Sequence, residues 1–160
     1  NLARLMEQLI NEDKLDKAEE IADIAMENMP VEYFGYYTLL EPYISGYYEV
    51  GSKEKARQLF KDVSTKYQEN LAYYGSLKTD NQEKLFEDIY TDIQRYKGLV
   101  DVLIEYDIDF AETEGETFNN YLKLFKHFYG GETEEDEYTP IIDKDIPVDS
   151  GIQMESDSSN

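Results

Sequence analysis

The sequence predicts an all-α fold of about six helices, stacked as hairpins into a right-handed solenoid and followed by a disordered acidic tail. Three observations carry this. Apolar residues recur at helical rather than alternating spacing through the first 130 residues. Residues 13–30 (DKLDKAEEIADIAMENMP) have an echo at 51–63 (GSKEKARQLFKDV), a shift of 38 that sets Asp13 opposite Gly51, Ala18 opposite Ala56, Ala22 opposite Phe60 and Ala25 opposite Val63. Repeats of that length are helix pairs that must stack on neighbours, because one pair cannot bury its apolar faces alone. Charge then divides the chain. Residues 131–160 carry ten acids and one lysine, net −9, leaving −12 of the total −21 for residues 1–130. The organisation read from this is a helical repeat domain over 1–130 and an acidic tail over 131–160.

Each element has its own signal. Leu2, Leu5, Met6, Leu9 and Ile10 make a first helix apolar on one face. Asn11, Glu12 and Asp13 close it, with Asp13 as the N-cap of the next helix and Asp16 in a first turn where the dipole favours an anion. Leu15, Ala18, Ile21, Ala22 and Ala25 line one stripe of the second helix, whose alanines admit a close neighbour and which Pro30 ends. Over 33–50 the aromatic and aliphatic positions do not alternate, so a helix is predicted, with Pro42 either kinking it or marking its true start.

Gly51 and Ser52 supply turn and N-cap for a fourth helix through Ala56, Leu59, Phe60, Val63, Tyr67 and Leu71, with Gly75 as its stop. The run DNQE at 80–83 has the form of a capping box and opens a long helix. In that helix Phe86, Ile89, Ile93, Tyr96, Val100 and Leu103 form a heptad-like seam, widened into a face by Leu85, Tyr90, Leu99 and Ile104. A second capping box at 113–116 precedes the last helix, built on Phe118, Tyr121, Leu122, Phe125, Phe128 and Tyr129 and stopped by Gly130 and Gly131. The tail, rich in acids and serines, is expected to be disordered. Its one apolar stretch, Tyr138 to Ile142 with Ile146 to Val148, suits an extended segment in a groove of the helical body.

Composition excludes several function classes. A net charge of −21 repels phosphate backbones and anionic lipids, so nucleic-acid binding and polybasic membrane docking are not expected, whereas basic partners are favoured. With no cysteine there is neither a disulfide framework nor a thiolate metal site. No apolar run approaches the roughly 20 residues of a membrane span, and no signal peptide is present. Asn1 to Met6 is already in helical phase without an initiator methionine, so the chain is expected to be the C-terminal part of something longer.

No catalytic residue, cofactor or metal is expected. His127, the single histidine, sits in an aromatic helix without a neighbouring nucleophile and is read as a packing or surface residue. Neither a glycine-rich phosphate loop nor a hydrolase or zinc-protease motif occurs. The best metal candidate is the acid run Asp107, Asp109, Glu112, Glu114 and Glu116. It lacks the ligand and glycine positions of an EF-hand loop, and a solvated turn between helices is the better reading.

Fourteen of the fifteen tyrosines precede residue 131, and the pairs 36–37, 47–48 and 73–74 cannot both point inward from one helix face. Tyrosine offers flat apolar area with a polar tip, suited to gripping peptides or sugars. The candidate binding groove is a concave surface lined by Tyr36, Tyr37, Tyr43 and Tyr47. The plainer reading is that these rings fill wide gaps between helices.

Two resemblances follow from these residues. The helix pairs resemble tetratricopeptide repeats: Leu15, Ala18, Ala25 and Pro30 match packing and terminating positions in the first, and Gly51, Ala56 and Phe60 in the second. They depart from the pattern at Met6 and Ile44, where a small residue is usual, and in the missing second proline. Over residues 1–130, the order of a degenerate repeat pair, the segment LAYY at 71–74, a long helix with Ile93, Tyr96, Leu99 and Tyr106, and a closing helix with Phe125, Phe128 and Tyr129 resembles the soluble C-terminal region of a family of polytopic bacterial membrane proteins. That family has no assigned function, and its transmembrane part is similar to glycosyltransferases that use lipid-linked sugar donors. The resemblance implies a non-catalytic module on the extracytoplasmic side, with any catalysis upstream and the membrane reached only through upstream segments.

The expected function is therefore a non-enzymatic interaction module for a protein or peptide partner. The rivals are a carbohydrate-binding module using the groove tyrosines, a free-standing adaptor in the cytoplasm, a homodimer built on the 86–103 seam, and a groove occupied by the chain's own tail.

Overall fold

The computed structural model describes residues 1–32, 35 and 37–128 of the chain. Among these residues there are seven α-helices and no strand: α1 (Leu2–Asn11), α2 (Leu15–Asn28), α3 (Glu41–Glu49), α4 (Lys53–Ser76), α5 (Thr79–Lys84), α6 (Phe86–Tyr106) and α7 (Ile108–Leu122). Short 3-10 turns occupy Tyr37–Leu40 and Lys123–Phe128.

The 38-residue echo in the sequence is an echo of backbone shape. At the end of α1, Asp13 takes a positive φ of 58°, its N–H bonds the Ile10 carbonyl at 2.9 Å, and the Lys14 N–H bonds the Leu9 carbonyl at 2.8 Å. At the end of α3, Gly51 takes φ 86°, its N–H bonds the Tyr48 carbonyl at 3.0 Å, and the Ser52 N–H bonds the Tyr47 carbonyl at 2.8 Å. Both are Schellman closures, in which a left-handed residue lets the chain satisfy its last free carbonyls. The next residues, Lys14 (φ −96°, ψ 62°) and Ser52 (φ −93°, ψ 63°), launch α2 and α4 in the same direction.

Asp13 is thus not the N-cap of α2. That position belongs to Lys14, and neither Lys14 nor Ser52 makes a side-chain capping bond. The Ser52 hydroxyl instead donates to Glu19, tying one hairpin to the next. Ala18 and Ala56 are both fully buried, as are Met6 and Ile44 at the matching depth of the preceding helices.

Packing follows the hairpins. The helices pair as α1 with α2, α3 with α4 and α6 with α7, and α3 also lies against α1, α2 and α6. The longest helix, α4, is about 36 Å long at 1.5 Å per residue and contacts α3, α6 and α7. Its buried positions, Ala56, Leu59, Phe60, Val63, Ser64, Tyr67 and Leu71, form one continuous face. Where α1 crosses α3, a Cβ on Gly46 would lie 2.5 Å from the Met6 sulfur, so this glycine permits a close approach.

Several boundaries differ from the sequence reading. Pro42 stands at the second position of α3 and marks its true start, so the helix expected over 33–50 is shorter. The α4 helix runs through Gly75 to Ser76, and the glycine instead receives Leu124, whose side chain lies 3.0 Å from where a Cβ would be. The 80–83 run forms no capping box. It lies inside α5, and the chain turns at Leu85 (φ −104°, ψ 14°) before α6 begins, which raises the helix number from six to seven.

Likewise, the 113–116 run sits in the middle of α7, which begins five residues earlier. Most of the 86–103 seam is turned inward: Ile89, Ile93, Tyr96, Val100 and Leu103 are all buried, whereas Phe86 at its start is exposed. The last helix ends at Leu122 and passes into a 3-10 turn with a kink at Phe125. Gly130, Gly131 and the 131–160 tail lie outside the described residues.

Matched turns with different residues give a paired prediction. Gly51→Ala forces a Cβ into a left-handed conformation and is expected to lower stability by about 1 kcal/mol. Asp13→Gly relieves the same strain and is expected to raise it by about 0.5 kcal/mol. Urea midpoints moving in opposite directions at unchanged slope would support this; equal shifts of one sign would contradict it.

Candidate functional site

Of the tyrosines expected to line a groove, the three described ones, Tyr37, Tyr43 and Tyr47, are not brought together at the surface. Tyr43 and Tyr47 are only 2% and 3% exposed. The cause is the position of α3, which is covered by α1 and α2 on one side and by α4 and α6 on the other, so the helix keeps little solvent face. Tyr37 is half-buried; its hydroxyl accepts from Asn70 Nδ2 at 2.9 Å and its ring meets Tyr67 edge-on at 5.0 Å. Tyr36 lies outside the described residues. The rings mostly fill gaps between helices, and their hydroxyls find local acceptors, Tyr67 on Glu41 (2.6 Å) and Tyr48 on Asp107 (2.7 Å).

The open site lies elsewhere, between the end of α2 and the first half of α4. Because Pro30 cannot continue a helix, α2 stops at Asn28 while α4 runs on. Its last turn and residues 29–32 therefore border a cleft of about 610 Å³. The apolar lining is Met26, Met29, Pro30, Val31 and Leu59, with the Tyr47 side chain. The polar lining is Asp23, Glu32, Lys55, Gln58, Asp62, Thr65 and Lys66.

One wall of the cleft is a fixed polar network. The Tyr47 hydroxyl donates to Asp23 at 2.8 Å, and Lys55 Nζ donates to both Asp23 oxygens at 3.0 and 2.7 Å while pairing with Glu19 at 2.9 Å. The same ammonium sits 5.8 Å from the centre of the Tyr47 ring. Burial, then the Asp23 carboxylate, push the Tyr47 hydroxyl well above the usual phenol range. Hydrogen bonds to Asp23, then to Glu19, push the Lys55 ammonium above the usual lysine range. The apolar part of the lining is thioether and aliphatic, and methionine adapts to irregular apolar partners. Sequence reading missed Met26 and Met29 because it stopped at the buried alanine stripe. Their signal is a methionine pair at helical spacing, just beyond that stripe and just before the terminating proline.

The acid run at the α6–α7 junction is likewise not a solvated turn throughout. The Asp107 side chain is 2% exposed and receives a bidentate contact from Arg57, Nε at 2.7 Å and a terminal nitrogen at 2.8 Å. Lys53 Nζ stands 3.7 Å from Asp107 Oδ1. Asp109, Glu112 and Glu116 are exposed, and burial raises the half-buried Glu114 above the usual carboxylate range. Glu41 and Asp92, half-buried beside α4, are also raised, chiefly by burial. Among the described residues no three acids or histidines converge as metal ligands would. His127 Nε2 lies 2.7 Å from Gln82 Oε1, and Gln82 in turn donates to the Tyr74 carbonyl at 2.9 Å, so the histidine joins the 123–128 turn to α5 and the end of α4.

Among the described residues no helix is long and apolar enough to cross a membrane. Comparison with family models, with curated proteins and with solved structures finds no match to this chain.

The Asp107 contact makes a pH prediction with a definite sign. Hydrogen bonds from Arg57 hold this carboxyl down at about 2, against an ordinary 3.8. A depressed folded value means that the stabilisation is present above pH 3.8 and lost as pH falls through about 2. The contribution is on the order of 2 kcal/mol. The stability gap between the native chain and Asp107→Asn is expected to be widest near neutrality and to close toward pH 2. Urea titrations at several pH values that give a constant gap would contradict this.

Proposed function

We propose that this chain is a helical interaction module and that the α2–α4 cleft takes a peptide segment of a partner protein. The observation that carries this is the methionine-lined apolar hollow beside a pre-ordered polar wall. Apolar pockets with a few fixed polar groups at their edge are where short segments dock with orientation. The net charge of −21 adds a field that draws in basic segments. The occupant we favour has two apolar anchors flanked by lysine or arginine.

We read the hairpins as tetratricopeptide-type repeats in a short right-handed solenoid, continued by α6 and α7 as a capping hairpin. The matched Schellman turns support this reading, since a true repeat unit reproduces its turn as well as its stripe. In its wider context we place the module as the non-catalytic C-terminal part of a membrane glycosyltransferase-like protein, on the extracytoplasmic side. That placement rests on the resemblance over residues 1–130. Fractionating the native cells with an antibody to this chain tests it. A band far above 18.7 kDa in the membrane fraction is the expected result, and a soluble band of this size would make the chain a free-standing adaptor instead. A sugar-binding role through Tyr43 and Tyr47 has no support, because both rings are buried.

Selection from a random peptide library tests the cleft. Enriched peptides should share apolar anchors beside basic residues, and Met26→Glu or Val31→Glu should weaken them at least tenfold, about 1.4 kcal/mol. Raising salt should slow association far more than it speeds dissociation. Unchanged affinity in both variants, with their helical content intact, would place the binding surface elsewhere.

A further inference from the structure

The start of α6 carries an aromatic patch that the described chain leaves open. Phe86 and Tyr90 are 43% and 48% exposed, although the rest of the α6 seam is buried. Their rings stack at 6.1 Å, and Phe128 meets Phe86 edge-on at 5.7 Å. Phe128 is the last described residue, and 32 residues follow it.

We propose that this patch is the docking surface for the chain's own segment 138–148, YTPIIDKDIPV. Connectivity is the first reason. Phe128 forms part of the patch, and the ten residues from it to Tyr138 span at most about 36 Å. A tether of that length holds the segment at an effective concentration on the order of millimolar. Composition is the second. Within 131–160 most of the bulky apolar side chains fall in this one segment, with Ile141, Ile142, Ile146 and Val148 among them. The docking is independent of what the cleft binds.

The cysteine-free chain allows a direct test. A nitroxide on Ser150→Cys of the full chain should broaden the amide signals of residues 86–90 and 126–128 to less than half their intensity, and leave 26–31 and 55–66 sharp. Adding Ile141→Asp and Ile142→Asp should restore the lost signals. Sharp signals at 86–90, or broadening there that persists in the double variant, would overturn the proposal. So would broadening centred on 26–31 and 55–66, which would place the segment in the cleft.

Discussion

The corner at Asp107 holds the third hairpin against the second. Its carboxylate is buried, so it must be matched, and the Arg57 fork on α4 matches it with two parallel bonds. The residues on either side extend the clamp. Tyr106 stacks on Tyr48 at 5.5 Å and donates to Glu49 at 2.8 Å, while Phe110 lies 4.9 Å beneath the Arg57 guanidinium and meets Phe60 edge-on at 5.5 Å. Against an apolar pair of the same shape such a contact gains little, because its attraction mainly offsets desolvation of the carboxylate; the pH-dependent stabilisation is the difference between the charged and protonated carboxyl. It fixes where α6 turns into α7 relative to α4.

In a chain of net charge −21, placement of the few cations governs which helices can approach. Five of the fifteen basic residues fall between 53 and 66 on α4. Four of them serve both neighbours: Lys55 reaches the acids of α2, Arg57 and Lys53 reach Asp107, and Lys61 sits 5.6 Å over Phe110. The same helix carries the largest buried stripe and one wall of the cleft. The cleft therefore lies against the element whose side chains reach both neighbouring hairpins.

Helix identity was legible in the sequence wherever an apolar stripe met a strong terminator. The α2 stripe and the 89–103 face are carried by local spacing and are buried in the structure, and the 38-residue echo recurs as matched turns at Asp13 and Gly51. Helix starts were less legible, because a capping motif is a local opportunity that tertiary contacts can override. The 80–83 and 113–116 runs lie within helices, and Asp13 became a left-handed closure instead of a cap. The candidate site was hardest to foresee. Whether a tyrosine faces water depends on how many neighbours cover its helix, and α3 proved to be covered on both sides. The partner of Asp107 lies fifty residues away, at a distance no local pattern reports.

The cleft as a peptide site is the central claim, and amide hydrogen exchange of the full chain with and without a selected basic, apolar-anchored peptide tests it most directly. The account predicts slowed exchange at the end of α2 and in residues 29–32, and in α4 between Lys55 and Lys66, with weaker slowing carried along α4 to the Asp107 corner. Slowing confined to α6 and the 123–128 turn, with residues 23–32 unchanged, would contradict it.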